Sequence, residues 1–205
     1  AAAQTVSLDS VERALAAGAS WHASQLLAPR FLSAEGRTPE VIIAAARAAG
    51  GWEGWSTVER LLGGVDWLDS RFDRIGHRLL AEAALADNKT ATALNHARAS
   101  LPRSLLPRSD AEAARRWILL ARAHERATNW DSAAAGYTRA AALSPDIADW
   151  LALRAANVSR DSATRHRLYA TVTSSPARSR VDWTEAAALA RFDQRAAAAR
   201  VFRRV

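Results

Sequence analysis

The chain has 205 residues, with 28 Lys and Arg against 21 Asp and Glu, and it contains neither cysteine nor methionine. Without cysteine, disulfide frameworks and thiolate metal sites are excluded, and no run approaches the ~18 apolar residues of a membrane span. Alanine supplies much of the 49% hydrophobic content, and only 9 Gly and 6 Pro interrupt it, so the composition predicts an all-α chain whose helices approach closely. Lys89 is the only lysine. The arginines are spread among Asp and Glu rather than gathered into basic runs, which predicts solvated helix faces and no specific nucleic-acid binding.

In chain order, the start "AAAQTVSLDS" has no initiator methionine. The expectation is that a signal peptide has been removed, or that the chain is an excised piece. With the absence of cysteine, this points to a periplasmic or secreted protein. The stretches "AGASWHASQLLAP" and "AAGGWEGWSTVERLL" read as helix, tight turn, helix. A polar joint follows near 30–39. Ile75 to Leu85 ("IGHRLLAEAAL") is a helix whose partner carries Leu94, Ala97 and Pro102, and a second joint lies near 100–110.

The clearest pattern begins at Ala114. In a 34-residue frame running from there to Ile147, Trp117, Leu120 and Ala121 take positions 4, 7 and 8, while Ala133, Tyr137, Ala140 and Pro145 take 20, 24, 27 and 32. Intervals of three and four place residues on one helical face. Trp117 and Tyr137 are the knobs, the alanines admit close helix approach, Asn129 or Asp131 caps the second helix, and Pro145 stops it. Downstream, Leu151, Ala152, Ala155, Leu168 and Pro176 recur at equivalent positions, and Trp183, Ala198 and Phe202 repeat the theme. A third joint lies near 173–179. "AAAARVFRRV" ends without a stop signal, so the natural polypeptide is expected to continue.

These spacings resemble the tetratricopeptide repeat, with Ala121 in place of its usual glycine and His124 in place of its usual tyrosine. The resemblance implies a right-handed α-solenoid of about five to six degenerate hairpins, ten to twelve helices in all, forming a single superhelical domain over 1–205. More narrowly, "VERALAAGASWHASQLLAP", "RLLAEAALADN…ALNHARASL" and "DIADWLALRAANVSRDSATRHRLYATV" resemble the superhelical N-terminal region of bacterial soluble lytic transglycosylases. Members of that family cleave peptidoglycan with a glutamate in a Glu-Ser motif of a later domain. No Glu-Ser dipeptide occurs here, so the resemblance implies a non-catalytic segment of a cell-envelope protein.

In such repeats the concave groove is lined by positions 2, 5, 9 and 12, here Arg115, Ile118, Arg122 and Glu125, and in the next repeat Asp146, Asp149, Leu153 and Ala156. The partner expected there is a protein or a peptidoglycan strand. The alternatives are a free-standing module that binds a peptide, or a subunit that associates end to end into filaments.

Other residue types point to no chemistry. The five histidines, His22, His77, His96, His124 and His166, show no i, i+4 pair, so no metal is expected, and no cofactor is either. "AGGWEGW" lacks the lysine and strand of a phosphate loop. The glutamates Glu12, Glu59, Glu82, Glu112, Glu125 and Glu185 lie beside arginines and read as helix-surface ion pairs. Asn88 and Asn157 stand in glycosylation-type sequons. Of the eight tryptophans, Trp117 and Trp183 read as packing knobs, whereas Trp52 and Trp55, near a glycine-rich turn, are the least constrained.

Overall fold

The computed structural model describes residues 7–101, 110–191 and 194–203. Its described residues form twelve α-helices with three short 3-10 turns and no strand, as the composition predicts. Pro102 and most of the joint near 100–110 lie outside them. Two compact units divide the chain, Ala1–Leu105 and Leu106–Val205. The first holds α1 (Leu8–Ala16), α2 (Ser20–Leu27), α3 (Pro39–Gly51), α4 (Trp55–Leu62), α5 (Ile75–Ala86) and α6 (Thr90–Ser100). The second holds α7 (Asp110–Arg126), α8 (Trp130–Leu143), α9 (Ala148–Val158), α10 (Ser162–Ala170), α11 (Ser175–Arg191) and α12 (Arg195–Phe202).

Successive helices pair as hairpins, and one backbone device closes most of them. After α1, α3, α5 and α7 a single residue turns left-handed: Gly18 (φ 73°), Glu53 (φ 61°), Asn88 (φ 58°) and Thr128 (φ 58°). The next amide then reaches back five residues, Ala19 to Ala14 O, Gly54 to Ala49 O, Lys89 to Ala84 O and Asn129 to His124 O, at 2.8–2.9 Å. This is the Schellman bond pattern, which satisfies orphan carbonyls at the helix end. A new helix starts at the following residue. The α11–α12 turn repeats the bond from Gln194 to Leu189 O at 3.0 Å. The α9–α10 turn differs: Asp161 Oδ2 accepts from Thr164 N at 2.8 Å and caps α10 directly.

Within each unit the first helices of successive hairpins also touch: α1 meets α3, α3 meets α5, and α9 meets α11. A helix so placed must be apolar on two sides. In α3, Val41, Ala44, Ala45 and Ala48 join the core of α1 and α2, while Ile43, Ala46 and Ala49 join Val58, Leu62, Leu79 and Leu80. Burying a side chain such as Leu62, which is wholly inaccessible, contributes about 1.5–3 kcal/mol. In α9, Leu151, Ala155 and Val158 pack on α7 and α8, and Ala152, Leu153 and Ala156 pack towards Tyr169, Val172 and Val181.

The packing residues expected at Trp117, Ala121, Ala133, Tyr137 and Ala140 lie in one cluster between α7, α8 and α9, and Leu120 is buried beside them. Pro145 opens a 3-10 turn just after α8 ends. A methyl group on Gly136 would lie 2.9 Å from Ala121 Cβ, which measures how closely α7 and α8 approach. Two expectations are corrected. Neither Asn129 nor Asp131 caps α8 through its side chain; Asn129 Nδ2 instead lies 3.5 Å from His124 Nδ1, because the turn has already satisfied the backbone. Trp183 is not a knob: it is 46% exposed, as Phe202 is at 43%, and the Arg180 guanidinium covers its ring.

The connection 63–74 is the longest between helices of the first unit. It ends in three consecutive left-handed residues, Phe72, Asp73 and Arg74 (φ 51°, 50° and 60°), each costing roughly 1–2 kcal/mol. Two contacts hold them: Phe72 packs edge-on to Trp67 at 5.3 Å, and Arg74 Nη1 donates to Ala99 O at 3.0 Å, 25 residues on at the end of α6.

Candidate functional site

The helix α7 has two faces of different character. Ala114, Arg116, Leu119, Leu120, Ala121, Ala123 and His124 are buried; Arg116, only 1% exposed, donates through Nε to Glu112 Oε1 at 3.1 Å one turn earlier. The opposite face carries Arg115, Ile118, Arg122 and Glu125 at intervals of three and four, so they form one stripe. Arg115 and Arg122 are exposed and make no ion pair among the described residues. Ile118 is half-buried against the α7–α8–α9 core.

Glu125 is not a solvated end to that stripe. Its Oε2 accepts from Tyr137 Oη at 2.9 Å, and its Oε1 forms an ion pair with Arg154 of α9. Burial, then the hydrogen bond to Glu125, pushes the Tyr137 phenol up to about 12. Glu125 thereby ties α7 to both α8 and α9. On α9 the residues Trp150, Arg154 and Asn157 are exposed and share one face by their spacing. Asn157 Oδ1 accepts from Tyr169 Oη of α10 at 2.8 Å. The result is a ledge over α7 and α9 bearing three guanidiniums, Arg115, Arg122 and Arg154, one carboxylate and one exposed indole.

The second set of groove positions fares differently. Leu153 and Ala156 are buried, a correction that follows from α9 packing on two sides. Asp149 is bound to the amides before α11, Thr173 N at 3.1 Å and Ser174 N at 2.6 Å, and these bonds hold its carboxyl below the usual range. Asp146 is exposed in the 3-10 turn. On α9 the exposed positions are instead Trp150, Arg154 and Asn157. Their signal was their spacing on a helix whose other positions, Asp149 apart, are Ala, Leu and Val.

Elsewhere, Trp55 packs against the core of the first unit. Trp52 meets Trp21 edge-on at 5.7 Å, and its Nε1 donates to Ser24 Oγ at 3.0 Å. A methyl group on Gly54 would collide with the Trp52 ring, so the glycine permits this placement. Among the glutamates, Glu12 pairs with Arg47, Glu59 with Lys89, and Glu82 with Arg78. Of the histidines, His77 and His96 meet across 19 residues of sequence, which no i, i+4 search finds. Among the described residues no group of three or more His, Cys, Asp or Glu is placed to hold a metal ion, and no helix is long and apolar enough to cross a membrane.

No protein-family model matches the chain, and neither a curated protein nor a solved structure does.

Proposed function

We propose that the chain is a non-catalytic helical-hairpin scaffold, its hairpins stacked as a right-handed solenoid, that binds an acidic partner on the α7–α9 ledge. The observation that carries this reading is the pairing of uncompensated Arg115 and Arg122 with the Glu125–Tyr137–Arg154 network. The network holds the ledge rigid, so binding orders few side chains, while the two free guanidinium forks match carboxylates bidentately. The partner is an extended acidic segment of a protein or a carboxylate-bearing glycan. Placement of the scaffold in an exported envelope protein that acts on peptidoglycan rests on the sequence resemblance.

The test is binding of fluorescent acidic peptides and of purified peptidoglycan to the 205-residue chain. Arg115→Glu with Arg122→Glu is expected to weaken binding at least tenfold while leaving the helical circular dichroism unchanged. Unchanged affinity in that double variant would remove the ledge from consideration. Binding of peptide but not peptidoglycan would remove the envelope reading alone.

A further inference from the structure

The turn register brings out a pair of residues that packing does not explain. In the hairpins closed by Glu53, Asn88 and Thr128, count eleven residues before the left-handed position and eight after it. These are Ile42 and Leu61 in α3–α4, Trp117 and Gly136 in α7–α8, and His77 and His96 in α5–α6. Where the other two hairpins place apolar side chains or glycine, α5–α6 places two imidazoles.

Their geometry defines a hydrogen bond. The two Nδ1 atoms are 2.9 Å apart and the ring centroids 5.2 Å apart, so both nitrogens lie near the line joining the rings. A metal ion held by both lone pairs would need them to converge off that line. One proton therefore sits between the rings, and a third group decides which ring supplies it. His77 Nε2 is buried without a hydrogen bond of its own and lies 3.5 Å from Asp69 Oδ1. A lone pair there would face a carboxylate, so His77 carries its proton on Nε2 and accepts at Nδ1. His96 donates from Nδ1, and its Nε2 is left as a lone pair.

His96 lines a cavity of about 270 Å³ together with Glu59, Leu62, Leu68, Leu80 and Thr92. Its volume is just under the range of roughly 300–1,000 Å³ typical of small-molecule sites. The lining combines three leucines with the His96 imidazole, the Thr92 hydroxyl, which can donate or accept, and the Glu59 carboxylate, whose two oxygens also accept from Lys89 Nζ at 2.8 and 3.1 Å. Glu59 and Asp87 share the ammonium of Lys89, at 2.8 and 2.9 Å, so these three groups carry one net negative charge. A site with apolar walls, surplus acceptors and negative charge is complementary to a donor-headed cation.

We propose that this cavity binds a small amine, its apolar body against Leu68 and Leu80 and its ammonium on His96 Nε2 and Glu59. The site belongs to the first unit and stands independently of the ledge on α7 and α9. Burial, then His77, holds the His96 imidazole below its ordinary range, which keeps it an acceptor at neutral pH. The charged and titratable groups around it are Glu59 of α4, Asp69 and Arg74 of the connection, His77 of α5 and Lys89 before α6. Protonation turns Nε2 into a donor, so amine binding falls as pH drops through that lowered value.

The experiment titrates benzylamine, benzyl alcohol and benzoate into the 205-residue chain and follows the histidine ring resonances. Benzylamine is expected to bind saturably and at least tenfold more tightly than benzyl alcohol, with no saturable effect of benzoate. His96→Asn deletes Nε2 while its amide can still donate to His77 Nδ1, and is expected to cost at least tenfold in benzylamine affinity. Thr92→Trp, at an exposed position, fills the cavity while keeping both histidines in the chain, and is expected to abolish binding. Benzoate binding as tightly as benzylamine, full affinity in both variants, or no saturable benzylamine binding to the unmodified chain would each overturn the proposal.

Discussion

The two tyrosines, the only ones in the chain, do one job from equivalent places. Tyr137 on α8 donates to Glu125 and Tyr169 on α10 donates to Asn157, each twelve residues back on the preceding helix. Both rings are buried, and burial raises both phenols, Tyr137 to about 12. In the unfolded chain a tyrosine ionises near ~10. The stabilising contribution is therefore complete below about pH 10 and is lost as pH rises from there towards about 12. Urea midpoints are expected to fall across that window, and Tyr137→Phe with Tyr169→Phe to flatten the fall. At neutral pH Tyr137→Phe alone is expected to cost about 1–2 kcal/mol in urea unfolding. The spacing identified Tyr137 as a knob, since ring packing follows from helical period. The target of its hydroxyl lies across a turn and could not be read from that period.

At the scale of the element, the hairpin turn matters more than the helix. The left-handed residues closing the hairpins at Gly18, Glu53, Asn88 and Thr128 stand 35, 35 and 40 apart. Two of these turns were legible because glycines mark them, Gly18 in one and Gly54 in the other. Thr128 gave no such signal, since a β-branched residue rarely turns left-handed and is held here by the Asn129-to-His124 bond. Thr128→Gly relieves a cost of roughly 1–2 kcal/mol but adds unfolded-state entropy. The net expectation is a gain of about 0.5–1 kcal/mol, a rise of roughly 1–4 °C in a thermal melt. Gly136→Val has the opposite effect: α7 and α8 have no room for a side chain there, and a loss of about 1–3 kcal/mol is expected in the same melt.

At the scale of the whole molecule, charge is unequally shared. Ala1–Leu105 carries 11 basic and 11 acidic residues, whereas Leu106–Val205 carries 17 arginines and 10 carboxylates. The whole formal charge of +7 thus belongs to the second unit, which also bears the ledge. Scattering along the chain hid this, because no single run is basic. An acidic peptide that uses this field is expected to bind about tenfold more weakly at ~0.5 M than at ~0.05 M salt, as screening shortens the Debye length, measured by fluorescence anisotropy. Affinity indifferent to salt would show that the field is not used.

Helical class, the alanine interfaces and the stripe Arg115, Ile118, Arg122 and Glu125 were determined by sequence alone, because intervals of three and four act within one helix and need no partner to be read. Only tertiary structure decided that Glu125 is engaged while Arg115 and Arg122 make no ion pair among the described residues, that Leu153 and Ala156 are core, and that His77 meets His96. Each of those outcomes depends on which face of a helix a neighbour covers, and that neighbour is supplied by residues a dozen or more positions away.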